Sequence, residues 1–459
     1  MRWLLVALLA SCGPSIIWSG HTTDRRTHVE VIEDGGLQYV VIDGKRHAAY
    51  RGIAGWSVAV APHHVAFAAQ VGRQWFVVHD GHRSQAWDAI GTLVLSSSGR
   101  LAYAAQRTGG WYVVVDGGTS ARYDAIVAGT LQFSGDGKRV AFVGERIGRK
   151  QCVIDGKPGP WFDGIGSFTF ASDGHYGYAA RLGDVAHVVV DDRVGPPWAT
   201  VSQLVLSATA GHYAYAAWDE THWRVIFDDA PSAAVDSIKR IIMRDDGRHI
   251  AWVARIEDRD VLALDGTPIA GAPNLRETAV AFRASTVGVG VGLAYVAPLA
   301  RGGEQLQIDG KPGAVYDEIG VPVWSSTGRI AYTARRSNIV MVVIDGRDHP
   351  AGTAVGDPVF SPDGNRVAFV TKRGRASYVV VDGRQHAFDL VFQDTLVFSS
   401  NSKRWAVIAG DIDAERLFFA LEDGKRIPLA TRELYSAAVG GLGDSAALLR
   451  GWTQAEADR

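Results

Sequence analysis

Basic side chains recur in the segments that separate the apolar runs of this 459-residue chain. Clustered positive charge could bind an acidic protein surface, an anionic glycan or phospholipid head groups. We predict that nine of these residues contact a partner: Arg107, Arg146, Arg181, Arg255, Arg301, Arg335, Arg336, Lys372 and Arg373. The alternative is that they are ordinary solvated hairpin tips, which is how most charge runs are used.

Other residue types that could do chemistry show no such pattern. The 14 histidines have no metal-binding spacing, and His63 and His64 are adjacent, so alternating strand faces would separate their side chains. The stretch Gly443-Asp444-Ser445-Ala446-Ala447 lacks the last glycine of a hydrolase nucleophile motif, and no phosphate-binding glycine loop occurs. We therefore predict no catalytic residue, no metal and no cofactor.

The composition limits the class of protein. Lysine and arginine (47) nearly balance aspartate and glutamate (49), which gives a net charge of −2 and argues against nucleic acid as the partner. Hydrophobic residues make up 47% of the chain, enough for a large core. The two cysteines, Cys12 and Cys152, exclude a disulfide scaffold, and Cys152 is predicted to be a buried, unreactive side chain.

The first residues predict export. The apolar run over residues 3–10 is too short to span a bilayer as a helix and is typical of a signal-peptide core. It ends in Leu9-Ala10-Ser11-Cys12, which resembles the bacterial lipobox. The resemblance implies a signal peptide over 1–11, lipidation of Cys12 and a tether over 12–27, with Gly13 favouring the outer membrane, facing the periplasm or cell surface. An ordinary secretory signal with an incidental Cys12 is the alternative.

The rest of the chain is a repeat. A segment like Val-Val-Val-Asp-Gly recurs every 36 to 44 residues, with its aspartate at Asp43, Asp80, Asp116, Asp155, Asp191, Asp228, Asp265, Asp309, Asp345 and Asp382. A second phrase lies between the copies and is clearest over 360–370, as Phe-Ser-Pro-Asp-Gly-Asn-Arg-Val-Ala-Phe-Val. Both contain turn signals that separate short apolar strands, so each repeat predicts four antiparallel strands. We expect the recurrent aspartates to cap backbone N–H groups in the turns.

The Phe-Ser-Pro-Asp-Gly phrase resembles the blade signature of TolB-type, WD-repeat-like β-propellers, and the resemblance covers about 28–450. With the repeat period it predicts an all-β fold of about eleven four-stranded blades of about 37 residues. Single rings hold about four to eight blades, so we predict two tandem propellers, over 28–275 and 276–450, and a tail over 451–459. Strands within 28–53 could close the second ring together with residues 434–450. One very large ring is the alternative.

These expectations describe a lipid-anchored propeller of the cell envelope that acts as a protein-binding or scaffold module and is not an enzyme. Its partner would be an envelope protein or an anionic glycan, and it would contact the membrane through its lipid. The alternative is an envelope enzyme, a glycan lyase or hydrolase, with its site in a propeller channel. Such a site would come from irregular loops, which a repeat does not reveal.

Overall fold

The computed structural model describes residues 15–21, 28–288, 290–411, 416–422 and 424–428. The chain divides into two compact units, Met1–Pro197 and Trp198–Arg459. In both units the described strands form antiparallel sheets of four strands in chain order, which we call blades 1 to 11. No helix in the described ranges is long and apolar enough to cross a membrane.

The first unit contains blades 1 to 5. Blade 1 has strands Ser15–His21, His28–Asp34, Leu37–Ile42 and Lys45–Tyr50; blade 2 has Gly52–Ile53, Ala59–Ala61, His64–Val71, Gln74–His79 and His82–Arg83; blade 3 has Ala89–Leu95, Leu101–Arg107, Gly110–Val115 and Gly118–Thr119. Blade 4 has Ala125–Ile126, Gln132–Phe133, Val140–Arg146, Arg149–Ile154 and Lys157–Phe162; blade 5 has Gly164–Phe170, Tyr176–Leu182, Val185–Val190 and Arg193–Val194. A short 3-10 helix spans Gly55–Ser57.

The second unit contains blades 6 to 11. Blade 6 has Thr200–Leu206, Tyr213–Trp218, Trp223–Phe227 and Ala230–Pro231; blade 7 has Ser237–Met243, Ile250–Ile256, Arg259–Leu264 and Thr267–Ala272; blade 8 has Val280–Phe282, Leu293–Pro298, Glu304–Ile308 and Lys311–Tyr316. Blade 9 has Glu318–Ile319, Val323–Trp324, Ile330–Arg336, Ile339–Ile344 and Arg347–Gly352; blade 10 has Ala354–Val355, Val359–Phe360, Val367–Arg373, Ala376–Val381 and Arg384–Phe388; blade 11 has Leu390–Val391, Val397–Phe398, Trp405–Asp411, Arg416–Leu421 and Arg426–Pro428. Short 3-10 helices span Glu277–Ala279 and Gln393–Thr395. Where a blade has five segments, its first strand is split into two pieces that pair with the same second strand.

The core lies between successive blades. In the second strand of blade 3, Ala102 packs into the cluster shared with blade 4, while its neighbour Tyr103 packs into the cluster shared with blade 2. Phe142 in blade 4 faces back toward Ala102, so a large side chain meets a small one. This alternation lets each sheet bury both faces, as propeller blades do. The prediction of an all-β propeller fold with about eleven four-stranded blades is confirmed.

The Asp-Gly turns follow the predicted chemistry. Asp116 and Gly117 have φ values of +48° and +86°, the left-handed pair of a type I′ hairpin turn. The same left-handed aspartate occurs at all ten copies of the repeat, and at Asp191 and Asp228 a second aspartate follows in place of glycine. Tight Asp-Gly hairpins therefore join the third and fourth strands of most blades.

Replacing Gly117 with alanine is expected to lower the free energy of unfolding by about 1 kcal/mol, because an L side chain is strained at this φ. The added Cβ would meet nothing within 4 Å, so the cost lies in the backbone alone. Gly135→Ala is the matched control, since its Cβ also has open space and its φ is not left-handed. Urea unfolding should place the midpoint of the first variant below that of the second, and equal midpoints would contradict the assignment.

The ten repeat aspartates also cap the second strand of their blades, as predicted. One carboxylate oxygen accepts the backbone N–H of the first or second residue of that strand, for example Leu101 N–H to Asp116 Oδ1 at 3.0 Å. In eight blades the other oxygen accepts a hydrogen bond from the residue just before or at the start of that strand. These partners are His64, Arg100, Arg139, His175, His212, His249, Arg329 and Arg366. We call each such Arg or His with its aspartate a clasp.

The arginine clasps also join neighbouring blades. Arg139 Nε binds Asp155 at 2.9 Å, and its Nη1 donates to the carbonyl of Gly174 in blade 5 at 2.8 Å. Arg329 reaches from blade 9 to the carbonyl of Asn365 in blade 10 in the same way. A histidine side chain is too short to reach the carbonyl of the next blade. An arginine clasp therefore joins two blades, whereas a histidine clasp makes its bonds within one blade.

The N-terminal end of the described chain differs from the predicted layout. Ser15–His21, expected within a tether, pairs with His28–Asp34 and supplies the first strand of blade 1. The physical reason is that the edge of His28–Asp34 needs a hydrogen-bonding partner, and Trp18 packs against the apolar cluster that contains Val29 and Val31. Blade 1 thus has four strands without residues 434–450, which lie outside the described residues.

The predicted boundary near residue 275 lies inside the second unit, whereas the two units meet in sequence between Pro197 and Trp198. Near 275 the chain passes directly from blade 7 to blade 8, and Leu275 is buried in the cluster that these two blades share. The longer spacing between Asp265 and Asp309 is taken up by a longer turn in blade 8, between Phe282 and Leu293. The grouping of blades into one ring or two stays a prediction.

Candidate functional site

The nine basic residues predicted to contact a partner all lie at or beside the hairpins that join the second and third strands of their blades. Because every blade has the same strand order, these hairpins lie at the same edge of each blade. The structure separates the nine by what their side chains contact.

Arg107 and Arg336 fold back onto the segment that ends the preceding blade. The Arg107 guanidinium donates to the carbonyl of Ala86 at 2.6 Å and lies 4.3 Å from the ring centroid of Trp87. Arg336 lies over Tyr316 at 4.4 Å and binds Asp348 at 2.9 Å. Cation–π contact and hydrogen bonding fix these side chains within the unit.

Four more of the nine also bond within their own unit. Arg181 donates to the carbonyl of Gly183, Arg255 to Asp260, Arg335 to Glu318, and Arg373 to the carbonyl of Ala351. The side chains of the other three, Arg146, Arg301 and Lys372, make no hydrogen bond, ion pair or ring contact with any described residue. Partner contact by the nine stays a prediction, and these last three have the most freedom to make it.

Exposed aliphatic side chains lie at the same hairpins in the first unit, and they were not among the residues predicted from the sequence. Leu37, Val71, Ile147 and Leu182 in blades 1, 2, 4 and 5 are 38%, 41%, 84% and 42% exposed. We call these four hairpins the tip face. The available signal was an aliphatic residue beside a turn glycine, where a polar residue is usual.

Ile147 is the most unusual of these residues. It is a β-branched residue at φ +52°, followed by Gly148 at φ +69°, and its N–H donates to Asp124 Oδ2 at 2.8 Å. Thr108, Glu257 and Ser337 hold the corresponding position in blades 3, 7 and 9, and all three are polar. A left-handed β-branched residue is a rare conformation that costs about 1–2 kcal/mol.

Positive charge surrounds Ile147. The hairpin carries Arg146, Arg149 and Lys150 against one acidic residue, Glu145. Arg149 binds the carbonyl of Trp161 at 2.9 Å and lies 3.5 Å from Asp163 Oδ1, whereas the Arg146 and Lys150 side chains have no bonded partner among the described residues. The hairpin therefore presents an exposed aliphatic side chain beside two cations, Arg146 and Lys150, that pair with no described carboxylate.

A second candidate site lies at and beside the first strands of blades 9 to 11. A cavity of about 460 Å³ is lined by Asp357 and Asp394 from successive blades, together with Ser325, Ser326 and Ser361. Partial burial of the carboxyl, together with the charge of Asp394, raises the pKa of Asp357. A carboxyl group with a raised pKa beside a second carboxyl group is an arrangement that general acid–base chemistry uses.

Of the two cysteines, the structure describes only Cys152. Cys152 is 2% exposed, so the prediction of a buried side chain is confirmed. Burial and then the charge of Asp192 raise the pKa of its thiol to about 12, which disfavours the reactive thiolate. Cys12, the predicted lipidation site, lies outside the described residues.

No protein-family model matches the chain, and no curated protein matches its sequence. Solved structures match at low sequence identity, and the three that follow are each 10% identical to this chain. The eukaryotic initiation factor aligns over 79% of this chain and 94% of its own with a TM-score of 0.38, and the Dos1 propeller over 72% and 90% with 0.28. The beta-propeller domain of Cps50 (Swd1) from Myceliophteria thermophila aligns over 53% and 93% with 0.24. Similarity at this level says nothing about function, and the assignment of blades stands on the sheets described above.

Proposed function

We propose that this chain is a non-catalytic, protein-binding propeller of the bacterial cell envelope, and that it binds its partner through the tip face. The observation that carries the proposal is Ile147, an isoleucine that is 84% exposed in a left-handed turn position. Neither exposure nor this backbone conformation favours isoleucine in the free protein. Strain of this kind points to a role in function.

A protein partner explains both unfavourable features. Burying an isoleucine side chain yields about 1.5–3 kcal/mol, which offsets the strain of the turn. The hairpin is rigid, because Asp124 holds the tip amide and six residue pairs join Val140–Arg146 to Arg149–Ile154. A preorganised apolar anchor loses little freedom on binding.

The flanking charges describe the partner's surface. Arg146 and Lys150 would face acidic side chains around an apolar pocket, which is the usual arrangement of an apolar centre with a charged rim. Val71 and Leu182 would extend the contact to blades 2 and 5. We therefore propose an acidic envelope protein as the partner.

Site-specific photo-crosslinking in intact cells tests this proposal. A crosslinking amino acid at position 147 should give a discrete protein adduct. The same amino acid at Lys138, whose side chain is 82% exposed at the opposite edge of blade 4, should give none. Equal adducts at both positions, no adduct at 147, or adducts only to lipid or glycan would overturn the proposal.

Attachment to the envelope is a separate part of the proposal and rests on the sequence Leu9-Ala10-Ser11-Cys12. We expect radiolabelled palmitate to be incorporated into the wild-type chain and not into Cys12→Ala. Absence of label from the wild type would refute the anchor without affecting the tip face.

The cavity at Asp357 supports a second candidate function, an envelope glycan lyase or hydrolase. Partial burial, which keeps the Asp357 carboxyl protonated to higher pH, would suit a general acid, with Asp394 as the second carboxylate. Assays of glycan cleavage with the wild type, Asp357→Asn and Asp394→Asn decide between the candidates. Our proposal expects no cleavage by any of the three, and turnover that both substitutions abolish would establish the enzyme.

A further inference from the structure

Blade 2 differs from the other nine blades that carry a repeat aspartate at the residue just before that aspartate. In blade 2 this residue is His79. The other nine repeat aspartates are preceded by apolar residues: Ile42, Val115, Ile154, Val190, Phe227, Leu264, Ile308, Ile344 and Val381. A half-buried histidine at the end of an otherwise apolar strand is the kind of exception that a specific role explains.

His79 lies beside a histidine clasp, so three possible metal ligands come together. His64 Nδ1 is 2.7 Å from Asp80 Oδ2, and His79 Nε2 is 3.4 Å from the same oxygen. One ligand atom from each residue can be chosen so that all lie within 4.8 Å of one another. His79 Nε2 is buried and accepts or donates no hydrogen bond with any described residue.

The surroundings hold this arrangement in place. Asp80 Oδ1 accepts the N–H of Val65 at 2.9 Å, which orients the other carboxylate oxygen toward the two histidines. The His64 ring packs against Gly99 in the next blade, where a Cβ would lie 2.3 Å from the ring. Supporting contacts of this kind orient ligands before a metal binds.

We propose that His64, His79 and Asp80 form a binding site for a divalent transition metal ion of the zinc class. Two imidazole nitrogens and one carboxylate are ligands that zinc accepts, at about 2.0–2.2 Å each. The ion would displace the proton shared between His64 and Asp80, and that proton would pass to solvent. The three side chains are 34%, 28% and 36% exposed. With three protein ligands, the fourth tetrahedral position would be filled by water or by a ligand.

Blade 6 is a natural control for the site. Its clasp has the same geometry, with His212 Nδ1 2.5 Å from Asp228 Oδ2 and Gly247 against the His212 ring. Phe227 stands where blade 2 has His79, with ring centroids 6.0 Å apart compared with 5.9 Å for His64 and His79. Only the third ligand is missing.

Zinc titration of the full chain by equilibrium dialysis tests the proposal. We expect His79→Val to weaken the tightest site at least about 100-fold, since even outer partners of metal ligands typically contribute 10–100-fold. Valine is native at this position in three other blades, and an unchanged unfolding midpoint without zinc would show that the variant folds. Equal zinc binding by wild type and His79→Val, or no binding by the wild type at micromolar zinc, would overturn the proposal.

Phe227→His supplies a second, independent readout. It should add one zinc equivalent to the wild-type chain and restore one to His79→Val, because it completes the same ligand set in blade 6. With cobalt as the probe, tetrahedral absorption should rise and fall with the same variants. A Phe227→His chain that folds and gains no metal would contradict the geometric argument.

Discussion

Replacing Asp260 with alanine is expected to lower the free energy of unfolding of the second unit by about 3 kcal/mol. The Asp260 carboxylate is fully buried in blade 7 and accepts hydrogen bonds from Lys239 at 2.8 Å, Arg255 at 3.1 Å and the Leu275 N–H at 3.1 Å. The alanine variant leaves the Leu275 amide without an acceptor and separates two cations from their counter-ion. Lys239 and Arg255 are each about a third exposed, so solvent limits the loss.

Asp260→Asn removes the charge and leaves the shape unchanged, because asparagine has the same size and keeps one side-chain oxygen as an acceptor. We expect it to lose about half as much as alanine in urea unfolding. An alanine variant as stable as the wild type would show that the buried carboxylate contributes nothing.

We also expect the Asp260 carboxylate to make the folded second unit less stable at acid pH. Burial acts to raise the pKa of Asp260, but hydrogen bonds from Lys239 and Arg255 outweigh it and hold the pKa below its usual value of 3.8. A depressed pKa stabilises the fold above the unfolded-state value, and the contribution is lost as the pH falls below it. The stability difference between wild type and Asp260→Asn should therefore shrink below about pH 4. A difference that stays constant through that range would contradict this assignment.

Replacing Arg366 with alanine is expected to cost about 2 kcal/mol, the second largest effect. Arg366 binds Asp382 at 2.9 Å, the carbonyl of Lys403 in blade 11 at 3.2 Å, and Glu422 through two bonds of 2.8 and 3.0 Å. The guanidinium therefore joins blade 10 to blade 11, and its side chain is 23% exposed.

Arg366→His is the matched variant, because four other blades use histidine in this position. It should keep the bond to Asp382 and lose the link to blade 11, so we expect about half the loss seen with alanine. Histidine and alanine variants with the same unfolding midpoint would mean that the clasp bond itself contributes nothing.

The turns and strands could be predicted because their signals are local. Asp116-Gly117 fixes a left-handed turn within two residues, and the alternation of Ala102 and Tyr103 fixes which face meets which neighbour. The capping role of the repeat aspartates follows from the same local chemistry. Even the clasp partner had a signal, since Arg or His precedes the second strand in eight blades.

The candidate sites depended on contacts that no local rule gives. His64 and His79 are 15 residues apart and meet only because antiparallel pairing closes their hairpin, while Gly99 comes from the next blade. The sequence places Ile147 beside a turn glycine, but its left-handed φ and its exposure appear only in the folded chain. Most of the basic residues that were predicted to contact a partner donate hydrogen bonds within their own unit. A count of charges in the sequence does not predict these bonds.

Ile147→Asn tests the central claim, that the tip of blade 4 is a binding anchor. Asparagine suits a type I′ turn, so the variant should raise the free energy of unfolding by about 1 kcal/mol. It should also weaken binding to the protein crosslinked at position 147 by about 10-fold to 100-fold, because it removes an isoleucine from the interface. Thr108→Asn makes the corresponding change in blade 3 and should leave binding unchanged.

The decisive measurement is the affinity of the crosslinked partner for wild type, Ile147→Asn and Thr108→Asn, with their unfolding midpoints measured alongside. We expect Ile147→Asn to be more stable than the wild type and to bind the partner more weakly. Unchanged affinity in Ile147→Asn, or equal losses in both variants, would contradict it.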